Sequence, residues 1–177
     1  MTVSAERFRD VLGCLAGGVC VIATREPEGR PRGLTATAVC SVSLDPPLVL
    51  VCLSSGSHTH DAITASGFFA VTFLGAPDSS VADRFAGDDE DKFEGVQTRE
   101  LASGAPVLEA GLGYCDCVVV KEVAAGDHTV FIGRVDAAGI SERAEGYVAP
   151  LLHYRGTYLM AADTGRGSAR GPGPNRD

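Results

Sequence analysis

Hydroxyl-bearing and small residues form the run of this sequence most suited to binding a ligand. Residues 33–38 predict a strand with Thr35 and Thr37 on one face and Ala36 and Ala38 on the other. Small side chains beside hydroxyls allow a flat ligand to approach the backbone closely. Threonine is also common in strands that bind nothing. The run therefore indicates either a ligand-facing strand or an ordinary one.

A second polar run, Ser54–Thr59, follows an apolar segment and precedes a short predicted helix that Thr59 is expected to cap. Consecutive hydroxyls, a glycine and a helix N-terminus can hold a phosphate without a net positive charge. A plain capping loop is the alternative. Farther along, the pair Lys92 and Phe93 offers a cation that can hold a phosphate and an aromatic ring that can stack.

The histidines favour neither a hydrolase nor a metal enzyme. None lies in an H-E-x-x-H pattern, and Ser57 beside His58 lacks the G-x-S-x-G context of a nucleophilic serine. His128 follows Gly-Asp in a predicted hairpin, where it is either a functional group or a surface turn residue. Tyr154 and Arg155 place an aromatic ring and a cation near the end of an apolar strand.

The six cysteines fit neither a disulfide framework nor a zinc site. There is no C-x-x-C, and the single C-x-C at residues 115–117 has no second pair at zinc spacing. Five of the six lie in apolar, strand-like runs. We therefore expect them to be small buried hydrophobic residues.

The elements that must position these groups are mostly short strands. A helix capped by Ser4, with one apolar face, opens the chain. Residues 33–43 predict a long strand, residues 48–53 a strand buried on both faces, and residues 114–123 and 128–135 a hairpin. Hairpin-length connections favour an antiparallel barrel or sandwich with peripheral helices. A doubly wound sheet is disfavoured, because neither a G-x-G-x-x-G fingerprint nor a P-loop is present.

Composition places the chain among ordinary globular proteins. Its 177 residues are 45% hydrophobic and 21% charged, and the formal net charge is −8. An acidic chain is a poor partner for nucleic acid, and no apolar run approaches the ~20 residues of a membrane-spanning helix. The first residues show no signal peptide, which predicts a cytoplasmic protein. We expect one domain over residues 1–163 and a disordered tail over 164–177, which is rich in glycine, proline and arginine.

Taken in order, eight segments resemble the flavin reductase-like family, which has the FMN-binding split-barrel fold. The resemblance runs from about residue 7 to residue 160. The segments are residues 17–19, 33–38, 41–50, 68–71, 91–96, 104–108, 126–135 and 150–156.

This resemblance implies a mainly β protein, a six-stranded antiparallel Greek-key split barrel with peripheral helices. It implies a homodimer with flavin near the interface, and NAD(P)H-dependent reduction of FAD or FMN that feeds a partner monooxygenase. Since no arginine-rich cluster suits an extra 2′-phosphate, we expect NADH as the reductant. A non-catalytic flavin-binding protein and another oxidase on the same barrel are the alternatives.

The resemblance also assigns roles to individual residues. His128 is expected on the nicotinamide side, with Tyr154 and Arg155 nearby. The flavin-binding residues are expected in three groups: along the ring, Thr35, Ala36, Thr37 and Ala38; at the ring edge, through their backbone, Val51, Cys52, Leu53 and Ser54; and at the ribityl chain and phosphate, Ser57, His58, Thr59, Lys92 and Phe93.

Overall fold

The computed structural model describes residues 3–144 and 148–162. The expected tail, 164–177, and the expected domain end at residue 163 lie outside these residues. No helix in the two described stretches combines the length and the apolar character needed to cross a membrane.

Within residues 3–144 and 148–162, three short α-helices lie outside the sheets, and capping residues explain where the first two begin. Ser4 caps the first helix, as predicted, because its hydroxyl accepts the N–H of Arg7 at 3.2 Å. Ser57, not Thr59, caps the second helix: the chain turns helical two residues earlier than expected, and the Ser57 hydroxyl accepts the N–H of His60. The helices are α1, Ala5–Leu12; α2, His58–Ser66; and α3, Ser79–Ala86, preceded by a 3₁₀ turn, Ala76–Asp78. A second 3₁₀ turn spans Glu142–Ala144.

Twelve strands form three antiparallel sheets within the described residues. The largest has seven strands in the order β3-β2-β6-β9-β10-β5-β4, and the others have the orders β1-β11-β12 and β7-β8. The strands are β1, Gly17–Gly18; β2, Cys20–Arg25; β3, Pro31–Ala36; β4, Val39–Leu44; β5, Pro47–Ser54; β6, Phe68–Phe73; β7, Thr98–Glu100; β8, Pro106–Leu108; β9, Gly113–Ala125; β10, His128–Ile140; β11, Leu151–Tyr154; and β12, Thr157–Met160. The mainly β, antiparallel class is confirmed, with seven strands in the main sheet where six were expected.

The two edges of the main sheet are formed by one stretch of chain. Only Thr37 and Ala38 separate β3 from β4, so the strand predicted over residues 33–43 is two strands on opposite edges. The break is closed toward β5 by a hydrogen bond from the Cys52 N–H to the Ala38 carbonyl at 3.0 Å. The sheet must therefore curl until its edges meet in this stretch.

The concave interior of the curled sheet is the main core. Large side chains from four strands meet there, including Ile22, Leu53, Phe69 and Phe131. Burying each of them contributes on the order of 1.5–3 kcal/mol. A second core lies on the other face of β2, against α3. The expectation that residues 48–53 are buried on both faces is wrong for this chain, because the residues alternating with the buried ones in β5 are only partly covered.

The cysteines are divided between the core and the surface. Cys20 and Cys117 are buried as predicted, whereas Cys14 and Cys40 are exposed, because α1 and the edge strand β4 leave them uncovered. Burial raises the pKa of the Cys20 thiol to about 12.

Candidate active site

A cleft of about 450 Å³ opens between three elements of the described chain. The start of β3 forms one wall, the loop after β5 with the N-terminus of α2 forms another, and the segment after α3 forms the third. Six predicted site residues line it: Ser54, Ser57, His58, Thr59, Lys92 and Phe93. The structure thus brings together the residues that were expected at the ribityl chain and phosphate.

The N-terminus of α2 provides hydrogen-bond donors at this cleft. Ser57 is held in place because its hydroxyl donates to the Ser54 carbonyl at 3.0 Å and accepts the His60 N–H at 3.2 Å. The N–H groups of His58 and Thr59 lie in the first turn, where an α-helix offers no acceptor of its own. Together with the helix dipole, these groups favour an anion in front of the helix.

Lys92 is anchored at the opposite wall. Its ammonium donates to the carbonyl of Phe85, in the last turn of α3, at 3.0 Å and approaches the Gly33 carbonyl at 3.5 Å. Burial lowers the pKa of Lys92, while nearby Asp88 opposes that effect. Two of its three N–H donors are therefore engaged by the protein, and one is left for a ligand.

Gly33 and two phenylalanines shape the same wall. The ring of Phe93 packs edge-on against Phe85, with centroids 4.9 Å apart. A Cβ at Gly33 would lie 2.9 Å from the ring of Phe85 and 3.0 Å from that of Phe93, a contact that real side chains do not make. Glycine at this position therefore allows the rings to close over the strand.

The cleft also contains charged residues that the sequence analysis did not single out. Arg32 lines it, with its guanidinium 2.8 Å from the Glu26 carboxylate and its side chain only 14% exposed. Asp88 and Glu90 line it too, although the sequence indicated only a solvated acidic loop. The sequence carries no local signal for this, because Arg32 and Lys92 belong to different elements that only the packing of α3 on β3 brings together.

The four residues expected along the flavin ring, 35–38, do not line the cleft, although the start of the same strand does. The Thr35 hydroxyl donates to the Ala82 carbonyl of α3 at 2.7 Å, so it is engaged within the protein and not free for a ligand as the sequence suggested. Thr37 and Ala38 are exposed between β3 and β4, and Ala36 is half-buried. Thr37 lies about 13 Å along the chain from Gly33, at ~3.3 Å per residue.

The residues expected at the ring edge differ in their accessibility. The side chains of Val51 and Leu53 are buried in the main core, which leaves only the backbone of these residues for the expected contact. The Cys52 N–H is taken by Ala38, as described above, whereas the exposed Ser54 reaches the cleft. Of these four residues, Ser54 alone lines the cleft.

His128 begins β10 directly opposite Ser54 in the register of β5 and β10. Its Nδ1 lies 2.7 Å from the Asp127 carboxylate, and this hydrogen bond lowers the pKa of Asp127. Because a carboxylate only accepts, Nδ1 carries the proton and Nε2 is left for a ligand. His128 thus lies at the end of the sheet that carries Ser54, although it does not line the cleft.

Tyr154 and Arg155 lie at the β11–β12 turn, next to β1 and α1. The Arg155 guanidinium is 3.3 Å from the Cys14 sulfur and 5.6 Å from the centre of the Tyr154 ring. The backbone N–H of Arg155 donates to the Gly13 carbonyl. Neither residue lines the cleft. We expected both residues to lie near His128, but the contacts described here place them beside α1 instead.

Comparison with known proteins identifies relatives that match most of the chain. The sequence model of the family described as flavin reductase-like domain matches residues 12–161. A flavin reductase (NADH) of Kitasatospora aureofaciens is 38% identical over 158 residues, covering 88% of this chain and 81% of that protein. The reductase subunit of a flavin-dependent monooxygenase of Rhodococcus jostii is 39% identical, covering 88% of this chain and 77% of that protein.

A solved structure extends the comparison to three dimensions. The NADH:FAD oxidoreductase of Streptomyces globisporus, determined in complex with NAD and FAD fragments, superposes with a TM-score of 0.82 at 31% identity. The alignment covers 93% of this chain and 98% of that one.

Proposed function

The chain belongs to the flavin reductase-like family and is an NAD(P)H:flavin oxidoreductase, and we propose that it uses NADH to reduce free flavin for a partner monooxygenase. The observation that carries the proposal is the cleft, in which a helix N-terminus, the hydroxyls of Ser54 and Thr59, and the cations Arg32 and Lys92 converge. Such a donor set suits the phosphate of a flavin nucleotide in an otherwise acidic protein.

The residues of the chain bind and orient, and no side-chain acid or base is required. A bound flavin would supply the redox chemistry together with the nicotinamide of the reductant. The α2 N-terminus and Lys92 hold the phosphate end, and Ser54 lies where the cleft meets the end of β10. We propose that Nε2 of His128 hydrogen-bonds the dinucleotide and fixes its position. Positioning of this kind lowers the barrier by removing the entropy of alignment.

FAD is the proposed flavin, and the neighbouring surface supports it. A second cleft of about 400 Å³ adjoins the first, and the two share Pro31, Glu90 and Phe93. The second cleft has an aromatic ring for stacking and carboxylates that accept ribose hydroxyls, as an adenosine requires.

A homodimer is proposed from the apolar surface of the single chain. The apolar face of α1 is exposed, and large apolar side chains are exposed elsewhere as well; examples are Phe8, Leu15, Leu44, Ile140 and Met160. Exposed apolar patches of this kind favour contact with another protein surface. A second copy of the chain, related by a two-fold axis, is the simplest partner that would bury these side chains. A solution mass of a stable monomer that still binds flavin would refute the dimer.

Steady-state oxidation of NADH with riboflavin, FMN and FAD tests the function directly. We expect turnover with all three flavins, a lower KM for FAD, and a kcat/KM for NADH well above that for NADPH. Flavin binding without NADH oxidation would instead identify a non-catalytic flavin-binding protein. Equal or better use of NADPH would refute the proposed nucleotide preference.

A further inference from the structure

A histidine next to the cleft links two parts of the candidate site that lie on different elements. The His60 ring has Nε2 2.9 Å from the Thr129 hydroxyl of β10 and Nδ1 2.9 Å from the Asp61 carboxylate. Its edge packs against Phe131, with centroids 5.3 Å apart, and its side chain is 14% exposed. The ring is therefore held on three sides.

The protonation of the ring follows from its partners. The Asp61 carboxylate only accepts, so Nδ1 of His60 carries a proton and donates to it. In the neutral ring, Nε2 then accepts from the Thr129 hydroxyl. Asp61 thus sets the tautomer and orientation of the ring. The hydrogen bond from the Thr129 hydroxyl to the ring connects α2 to β10.

The backbone of the same residue belongs to the phosphate end of the cleft. The His60 N–H donates to Ser57, the cap of α2, whose hydroxyl in turn donates to Ser54. Thr129 is the neighbour of His128 in β10. Within residues 3–144 and 148–162, no other side-chain hydrogen bond joins α2 to β10.

We propose that His60 is a positioning residue for flavin reduction: it holds the α2 N-terminus, where the flavin phosphate binds, at a set place relative to His128. This inference rests on the proposed function. A flavin anchored by its phosphate presents its ring at a distance from His128 that depends on where α2 lies. Loss of the link should misplace a phosphorylated flavin, because alignment errors far from the reacting atoms reduce rate. Riboflavin, which has no phosphate, should not be affected.

The test is a double-mutant cycle between His60→Phe and Thr129→Val. Phenylalanine keeps the ring that packs on Phe131 but also loses the hydrogen bond to Asp61. Valine keeps the shape of threonine, so the hydrogen bond between His60 and Thr129 is the contact that both variants lose. We expect each variant to raise KM and lower kcat for FMN by about three- to tenfold, with riboflavin kinetics unchanged. The double variant should be no worse than His60→Phe alone, because Thr129→Val removes only a contact that His60→Phe has already removed.

A matched control loosens α2 at its other end. The Thr24 hydroxyl bonds the Phe68 carbonyl at 2.7 Å and Ser66, the last residue of α2, at 2.9 Å. Thr24→Val should lower the melting temperature yet leave FMN kinetics unchanged. If it impairs FMN turnover as much as His60→Phe does, or if the two cycle variants are additive, the positioning role is wrong. Absence of NADH oxidation in the wild type would instead refute the proposed function.

Discussion

Removing the charge of Lys92 should weaken the binding of phosphorylated flavins and leave the binding of riboflavin unchanged. Lys92→Met keeps the length of the side chain and its contact with the wall, but it removes the ammonium from the cleft. Hydrogen bonds to charged groups contribute about 1.5–3 kcal/mol each. Only one of the three ammonium donors is free of Phe85 and Gly33, and the cleft is open to water. We therefore expect the lower value, about 1.5 kcal/mol, which is roughly a tenfold rise in KM for FMN and FAD.

The assay is steady-state NADH oxidation with FMN, FAD and riboflavin in parallel. Lys121→Met is the matched control, because Lys121 is the only other lysine and lies exposed in β9, outside the cleft. Lys92→Met should also lower the free energy of unfolding by about 1 kcal/mol, because the Phe85 carbonyl at the end of α3 loses its donor. An equal loss for riboflavin and FMN would refute the phosphate role and leave Lys92 as a helix-capping residue alone.

Three further predictions concern the dinucleotide, the acidic loop and the thiols. His128→Ala should lower kcat/KM for NADH about 5- to 150-fold, or 1–3 kcal/mol, without changing the flavin Kd; wild-type NADH kinetics would eliminate its role. Asp88→Asn and Glu90→Gln should improve kcat/KM for FMN relative to riboflavin by about threefold, as two carboxylates stop opposing the phosphate charge; an unchanged ratio would contradict this. At pH 8, iodoacetamide should alkylate exposed Cys14 quickly, but not Cys20, whose raised pKa of about 12 keeps it protonated and whose burial blocks access until unfolding; mass spectrometry of the labelled peptides decides it.

Much of the fold was predictable because its signals are local. The Ser4 cap acts over three residues, and the turn between β9 and β10 lies within the predicted four-residue connection. The hydroxyls of Ser54–Thr59 likewise precede a helix, as their order along the chain predicts. In each case the interacting groups are separated by a few bonds, so residue types alone restrict the geometry.

The parts that were not predictable depend on which surfaces meet. The Thr35 hydroxyl points to Ala82, 47 residues away, and Arg155 contacts Cys14 across 141 residues. Neither pairing has a signal in the neighbouring sequence, because a strand pattern states that side chains alternate but not what covers each face. For the same reason, the predicted strand over residues 33–43 divides between two edges of one sheet.

The sequence alone determined the mainly β antiparallel class, the caps and turns, and the residue types able to hold a phosphate. The tertiary structure decided which of them share a cleft: Lys92 joins Arg32 because α3 packs on β3, while Tyr154 and Arg155 lie elsewhere. Local preferences act through groups a few residues apart, and these are present in any conformation of the chain. A binding site needs groups from distant segments within a few ångströms, and only the register and curl of the sheet supply that proximity.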